Sequence, residues 1–328
     1  MTDRPREQLL DELRPVAFSI AYRMLGSVAE AEDIVQEALL QLHQAIEAGE
    51  QIQSPRAFVA TVSTRRAIDQ LRSARVRRES YVGNWLPEPI ITDGIDDPAQ
   101  RAEMADSLSL AMLVLLDSLS PEQRAVLLLH DVFEYDYARV AEIVGKSQDN
   151  VRQLAKRARS HLQEGRPRFE SSREQQQELA RRFYAAANDG DIAGLEAMLA
   201  HDVVLTGDGG GRAPAPLRPV QGRSRVARTL LNWLDHLTRI PGIQLQPTEI
   251  NGSPGTLMLD GQNRVVGVWV LEIGGGQVQG VQSIVNPDKL AHLGPTTDLG
   301  SLLGAQPAGD QSTAGMDAPV AESENGVE

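Results

Sequence analysis

A basic segment near the middle of the chain carries side chains that could bind a nucleic acid. Arginine, lysine and amide groups donate hydrogen bonds to phosphate oxygens and to base edges, which are the contacts that DNA recognition requires. Here they stand outside an apolar stripe with helical spacing, so that one face of a helix would enter the core and the other would meet a ligand. The candidate DNA-binding side chains of this stretch are Arg152, Gln153, Lys156, Arg157 and Arg159.

The elements that would position these side chains are two helices joined by a turn, over residues 137–163. Gly145 lies in the turn, and Ser147 can cap the second helix by accepting a hydrogen bond from a free backbone amide. Val151, Ala158 and Leu162 belong to its apolar stripe. A short helix, a glycine turn and a basic second helix form a helix-turn-helix, whose second helix fits the DNA major groove. A solvated amphipathic helix is the alternative interpretation.

A second basic segment, residues 56–78, contains seven arginines and one acid, Asp69. Arginines at a helix end can complement the helix dipole, but seven exceed what capping requires, so an anionic polymer is favoured. The chain as a whole is acidic, with a net charge of −13. Because nonspecific DNA binding is electrostatic, this acidity predicts weak DNA binding without a partner.

Composition excludes several classes of protein. The 328 residues include no cysteine, which rules out disulfides, thiolate metal sites and a cysteine nucleophile. The six histidines are scattered, so neither a metal nor another cofactor is expected. The N-terminus lacks an apolar signal segment and no apolar run approaches the roughly 20 residues that span a bilayer. A cytoplasmic protein that does not contact the membrane is therefore predicted.

Patterns of hydrophobicity and turn residues divide the chain into five parts. The first and third are all-helical domains, and the fourth has helices followed by β-type runs in an antiparallel meander, which indicates an α+β domain. The last part is acidic, rich in Gly, Ser and Pro, and is predicted to be disordered. The predicted boundaries are 6–80, 81–104 (a linker), 105–165, 172–293 and 296–328.

The two helical blocks resemble the extracytoplasmic-function group of bacterial σ70-family factors. The resemblance is carried by residues 21–44 (AYRMLGSVAEAEDIVQEALLQLHQ), 54–78 (SPRAFVATVSTRRAIDQLRSARVRR) and 119–164 (beginning LSPEQRAVLLLHDVFEYDYARVAEIVGKS). These segments are similar to σ region 2 and σ region 4, in that order. The resemblance implies a transcription initiation factor that is not an enzyme and that binds core RNA polymerase, at the β′ clamp and the β flap, and promoter DNA.

The resemblance also implies roles for individual residues. Those matching the surface that docks on polymerase are Asp33, Gln36, Glu37 and Leu40. Those matching the segment that reads and melts the −10 element are Arg65, Arg66, Asp69, Arg72, Arg75, Arg77 and Arg78. Those matching the helix that reads the −35 element are Ser147, Gln148, Asn150, Arg152, Gln153, Lys156 and Arg157.

The rest of the chain resembles the branch of that group with a fused SnoaL-like domain, the sigma-J type. The matching strings are WLPEPI (85–90), DGGGR (208–212) and NPDKL (286–290). The resemblance implies a cone-shaped α+β barrel that regulates the σ domains in cis. Glycines would let the second string approach another segment closely, and a flexible loop is the alternative. The implied regulatory residues are Trp85, Pro87, Asp208, Gly209, Gly210, Gly211, Asn286, Pro287 and Asp288.

Two other functions compete with this interpretation. One is a ligand-sensing helix-turn-helix regulator that acts without docking on polymerase, which leaves the first helical block without a role. The other is a cyclase- or isomerase-like enzyme, for which Asp202, Asp208, His201 and His236 are available without a readable catalytic arrangement. A small-molecule ligand in the C-terminal domain and a monomeric free protein are further expectations.

Overall fold

The computed structural model describes residues 3–93, 109–165 and 172–304, and the side chains of these residues except 3–7, 74–79 and 163–165. Among these residues, no helix is both long enough and apolar enough to cross a membrane.

The N-terminal domain consists of three helices, α1 (Asp3–Leu25), α2 (Val28–Glu47) and α3 (Pro55–Glu79). Helix α2 begins after Ser27, whose Oγ accepts a hydrogen bond from the Glu30 amide at 3.2 Å, as its sequence predicts. One face of α2 packs into the domain, so its opposite face is left to solvent. The buried residues of α2 are Ala31, Ile34, Val35, Ala38, Leu42 and Ala45.

The helix-turn-helix domain follows, with helices α4 (Leu110–Asp117), α5 (Pro121–Leu127), α6 (Tyr137–Val144) and α7 (Gln148–Gly165). A π-helical turn, Leu128–Val132, continues α5. Gly145 ends α6 in the left-handed conformation (φ 66°), and Ser147 Oγ accepts from the Asn150 amide at 3.3 Å. Val151, Ala155, Ala158 and Leu162 are buried. The predicted turn and the apolar stripe of the second helix are thus confirmed.

The C-terminal domain begins with helices α8 (Arg173–Asn188) and α9 (Ile192–Met198), and a third helix, α10 (Arg223–Thr238), lies between strands of its sheet in the sequence. In the described part of the chain, six strands form one sheet, in the order β2-β1-β6-β5-β4-β3. The strands are β1 (Leu199–Asp208), β2 (Val220–Gln221), β3 (Gln244–Ile250), β4 (Ser253–Leu259), β5 (Val265–Gly274) and β6 (Gln277–Ile284).

One expectation about this domain is confirmed and another needs correction. Strands β3 to β6 form the predicted antiparallel meander, but β1 pairs with β6 in parallel, so the sheet is mixed. Within the described residues β2 and β3 are the two edges and do not pair, so the predicted barrel is an open sheet. One face of the sheet packs against α8, α9 and α10, and the other face contributes Val268, Val270 and Ile284 to a core shared with the N-terminal domain.

The first part of the segment predicted to be disordered is folded onto the sheet. Thr296 forms a parallel β-bridge with Val265, and a short helix, α11 (Leu299–Leu302), buries Leu299 to 2% exposure. The prediction was wrong for residues 296–304 because a few leucines in a Gly-rich stretch can still fill a groove of an existing core. The rest of that segment lies outside the described residues, as do residues 94–104 of the predicted linker.

Candidate functional site

Asp208, the last residue of β1, is fully buried where the linker crosses the sheet. Its Oδ1 accepts a hydrogen bond from the Tyr81 hydroxyl at 2.5 Å. Its Oδ2 accepts from the Leu86 amide at 2.7 Å and from Lys289 Nζ at 2.6 Å. A buried carboxylate is tolerated only when it is paired and hydrogen-bonded, and two of these three donors belong to the linker. The charge of Asp208 is therefore stabilised through contact with the linker.

Lys289 is the cation of this buried pair, with 6% of its surface exposed. It ends a 3₁₀ turn, Pro287–Lys289, that follows β6. Its Nζ also donates to the Leu86 carbonyl oxygen and lies 4.3 Å from the centre of the Trp85 ring. An aromatic face attracts a desolvated ammonium group, so Trp85 and the carboxylate hold the same cation. Lys289 was missed from the sequence because lysine is rarely buried, whereas its predicted neighbour Asp288 is exposed.

Glycines let the loop after β1 approach the linker. A side chain at Gly210 (φ 59°) would collide with Asn286, since an added Cβ would lie 2.2 Å from its Nδ2. A Cβ at Gly211 (φ 72°) would lie 3.1 Å from that of Val82. Only glycine combines a positive φ with such close contact. The predicted close approach of this loop to another segment is therefore seen, and the segment is the linker.

Two further polar side chains join the linker to this end of the domain. Asn286 Nδ2 donates to the Tyr81 hydroxyl at 2.9 Å, and Asn84 Nδ2 donates to the carbonyl oxygens of Gly207 (3.2 Å) and Pro216 (3.0 Å). Burial, reinforced by the charge of Asp208, raises the pKa of the Tyr81 phenol well above its ordinary value. Tyr81 therefore keeps its proton and remains a donor to the carboxylate.

Asn251 holds the far end of the linker, and the sequence interpretation missed it. Its backbone amide donates to the Ile90 carbonyl oxygen at 2.8 Å, and its side-chain Oδ1 accepts from the Ile90 backbone amide at 2.8 Å. Its Nδ2 donates to the hydroxyl of Tyr22 in α1 at 2.9 Å. Asn251 is fully buried in the left-handed region (φ 51°) in the turn between β3 and β4. The Asn-Gly pair between two strand-like runs was the available signal.

Glu88 connects the linker to the N-terminal domain. Its Oε2 accepts hydrogen bonds from the amides of Val28 (2.6 Å) and Ala29 (3.3 Å), at the start of α2. Its Oε1 accepts from Ser27 Oγ at 2.8 Å, and the Tyr22 hydroxyl donates to its carbonyl oxygen at 2.6 Å. A carboxylate at a helix N-terminus satisfies free amides and complements the helix dipole. The linker therefore binds the C-terminal domain through Leu86 and Ile90, and the N-terminal domain through Glu88 between them.

The two helical domains also contact each other, through a shared apolar core and through arginines. Arg65 of α3 donates from Nε to the Ile143 carbonyl oxygen at 2.9 Å, at the end of α6. Arg72 of α3 forms an ion pair with Glu122 at 2.6 Å. In the other direction, the buried Arg124 of α5 donates to the Arg23 carbonyl oxygen at 2.9 Å. Two arginines predicted to contact the −10 element thus lie against the helix-turn-helix domain.

Other predicted site residues lie on open surfaces. On α2, Asp33, Gln36 and Leu40 are exposed, Leu40 to 54%, and Glu37 pairs with Arg66. On the helix-turn-helix domain, all seven predicted −35 residues are exposed: Ser147, Gln148, Asn150, Arg152, Gln153, Lys156 and Arg157. Asp69 is exposed as well. Arg75, Arg77 and Arg78 lie among the residues whose side chains the structure does not describe.

Known proteins match both helical domains. The family of sigma-70 region 2 matches residues 9–77, and that of sigma-70 region 4 matches residues 109–162. The chain is 37% identical over 291 residues to the ECF RNA polymerase sigma factor SigJ of Mycobacterium tuberculosis, covering 85% of this chain and 91% of that one. It is 31% identical over 283 residues to the probable ECF sigma factor SigI of the same species, covering 85% and 93%.

A solved structure shows the same arrangement of domains. The crystal structure of M. tuberculosis SigJ superposes with a TM-score of 0.71 at 34% identity, covering 87% of this chain and 98% of that chain. The similarity thus includes the C-terminal domain as well as the two helical ones.

Proposed function

Because the chain belongs to the extracytoplasmic-function group of sigma-70 factors, in the branch with a SnoaL-like C-terminal domain, we propose that it directs RNA polymerase to promoters and is held in a closed, inactive form by that domain. The observation that carries the inhibitory role is the buried pair of Asp208 and Lys289, since its hydrogen bonds require the linker in place. Separating the linker from the sheet would remove hydrogen bonds from the buried charges of Asp208 and Lys289, which is unfavourable in free energy.

The closed form is proposed to be unable to read a promoter. The −10 and −35 elements lie at opposite ends of a spacer, so the two helical domains must separate to reach both. Here Arg65 and Arg72 are engaged by the helix-turn-helix domain and cannot contact DNA at the same time. The −35 helix α7 is free but would bind alone, and a single module with few phosphate contacts binds weakly in an acidic chain.

Docking on polymerase is proposed to use the exposed face of α2. Leu40 stands there beside two polar residues, Asp33 and Gln36, and none of the linker contacts covers it. A single exposed leucine is common on protein surfaces, so the docking role is supported chiefly by the similarity of this domain to sigma-70 region 2. The closed protein would therefore dock on polymerase before it opens.

Run-off transcription tests this proposal. Purified core polymerase would be mixed with the full chain and a library of genomic fragments, and transcripts would be mapped. We expect weak promoter-specific transcripts from the natural chain and stronger ones at the same start sites from a Lys289→Met variant, which breaks the buried pair. Absence of promoter-specific transcripts with both proteins would reject the sigma-factor proposal. Equal yields from both would reject inhibition by the C-terminal domain.

A gel shift separates the competing helix-turn-helix regulator from this function. A regulator of that kind would bind a palindromic site without polymerase. The sigma factor is expected to shift promoter DNA only together with core polymerase.

A further inference from the structure

A cavity of about 370 Å³ lies between α10, the segment before β2 and the residues in and after α11. One wall is formed by Trp233 and Leu237 of α10, and another by Leu299 and Leu303 in and after α11. The third wall is the segment Pro214–Pro216, which follows the glycine loop. This volume is within the range of small-molecule sites, about 300–1,000 Å³.

The lining determines the chemistry of an occupant. It is mostly apolar and includes one indole ring, which favours a flat, largely apolar molecule. Three of its side chains carry hydrogen-bonding groups, those of Asn232, Trp233 and His236, and the His236 Nδ1 lies 2.6 Å from the Asn232 carbonyl oxygen. A carbonyl can only accept, so Nδ1 carries the proton in the neutral ring and Nε2 is left as an acceptor. The site would thus prefer an occupant with a hydroxyl or N–H donor.

The same loop wall contacts the linker on its other side. The Pro216 carbonyl oxygen accepts from Asn84 Nδ2 at 3.0 Å. Leu217 lies against the backbone at Gly83, where an added Cβ would be 3.5 Å from Leu217 Cδ2. The shape of the cavity therefore depends on a segment whose position depends on the linker. A molecule that binds this shape would stabilise the linker in its docked position, because binding favours the conformation that binds best.

We propose that this cavity binds a flat apolar molecule bearing a hydroxyl or N–H group, and that its occupant holds the linker against the C-terminal domain. The effect on transcription rests on the proposed function, whereas binding and its effect on the linker do not.

The binding test uses the full chain and two probes, 1-naphthol and 1-methoxynaphthalene, measured by equilibrium dialysis. The probes share the ring system, but only the first has a donor. We expect one site per chain that prefers 1-naphthol, and loss of binding in Leu303→Trp, which fills the cavity from a wall that does not contact the linker. His236→Ala should weaken the binding of 1-naphthol about 3- to 10-fold, which is the effect of losing one neutral hydrogen bond. The binding of 1-methoxynaphthalene should be unchanged.

His201→Ala is the matched control, since His201 is exposed on β1 and does not line the cavity. Binding of 1-naphthol that is unchanged in both Leu303→Trp and His236→Ala would overturn the site, provided that circular dichroism shows both variants folded. Absence of binding to the natural chain up to the solubility of the probe would overturn it as well.

Hydrogen exchange tests the coupling separately. Backbone amides of residues 81–92 should exchange more slowly when 1-naphthol is bound, and the Leu303→Trp variant should show no such change. Binding without slower exchange would overturn the coupling. Transcription is then assayed with and without the probe: slower exchange with unchanged transcript yield would contradict the proposed inhibition rather than the site.

Discussion

Arg65 donates a hydrogen bond to the carbonyl oxygen of Ile143, so a residue predicted to contact the −10 element instead caps the first helix of the helix-turn-helix motif. Its second hydrogen bond, to the Glu142 carbonyl at 3.0 Å, also lies at that helix end. A cation at a helix C-terminus is favourable because the last carbonyls lack partners within the helix. A surface of the N-terminal domain that is predicted to read the promoter therefore supplies hydrogen-bond donors to the end of a helix in the other domain.

Arg65→Ala should loosen the contact between the two helical domains. The guanidinium is exposed, so we expect an effect of about 1 kcal/mol or less, which raises the open population up to about fivefold. Hydrogen exchange of the amides of α6 would measure it. Arg66→Ala is the matched control, since this neighbour pairs with Glu37 inside the N-terminal domain. Equal effects of the two changes would contradict the assigned role of Arg65.

Asp208→Asn should release the linker. The change leaves the buried Lys289 without its counter-charge, and breaking a buried pair costs on the order of 3 kcal/mol. Protection of the linker amides against exchange should fall by up to about 100-fold, and transcript yield should rise. The neighbouring Asp288→Asn is the control, because Asp288 is exposed and pairs only at the surface with Arg212. A stronger effect of Asp288→Asn than of Asp208→Asn would reverse the assignment.

Asn251→Gly isolates the side-chain contacts of the turn between β3 and β4. Glycine keeps the positive φ, so the change removes the side-chain hydrogen bonds of Asn251, including those to Ile90 and Tyr22. At about 1 kcal/mol for each of these two bonds, the far end of the linker should open roughly thirtyfold more often, as measured by exchange of residues 90–92. Asn263→Gly provides the comparison, since Asn263 has φ 57° in another turn of the same domain. In the Asn263→Gly variant, amide exchange of residues 90–92 should match that of the natural protein.

Glu272 should make the stability of the protein depend on pH. Burial raises its pKa to about 7, above its ordinary value of 4.5, so the folded state binds a proton that the unfolded chain has released. The associated stability is complete below about pH 4.5 and is lost as pH rises through 7. Glu272→Gln should remove this decline, which thermal unfolding between pH 5 and 8 would measure. A decline of equal size in the variant would assign the pH dependence to other groups.

Leu40→Asp should weaken binding to core polymerase. A charge placed at the centre of an apolar contact should cost at least about 1.4 kcal/mol, or tenfold in affinity. Pull-down with core polymerase would measure it. Ile192→Asp is the control, since Ile192 is similarly exposed, at 45%, but lies in the C-terminal domain. Undiminished binding of Leu40→Asp would exclude this face of α2 as the docking surface.

Helix caps can be predicted from the sequence because they depend on residues three positions apart. Ser147 caps α7 as predicted, and Ser27 and Ser120, each followed by Glu or Gln three positions later, cap α2 and α5. Strand positions in the meander also follow from alternation and turn residues. The parallel pairing of β1 with β6 could not be predicted in this way, since it joins segments about 75 residues apart and depends on no local sequence pattern.

Long-range polar contacts account for most of what the sequence did not predict in the site. Glu88 serves as a helix cap for a helix that begins 60 residues earlier, and Lys289 is buried against the usual preference of lysine. The strings that contain them were identified, but which member of each string meets which partner depends on the fold. Asp208, predicted as part of its glycine loop, is buried and paired with Lys289, whereas the predicted Asp288 of the last string pairs with Arg212 at the surface.

The open face of α2 has a consequence for the cell that makes this protein. If polymerase binds the closed form, each polymerase in such a complex cannot transcribe from any other promoter until the linker separates from the C-terminal domain. A high concentration of the closed protein would then reduce housekeeping transcription, whichever genes the protein itself controls.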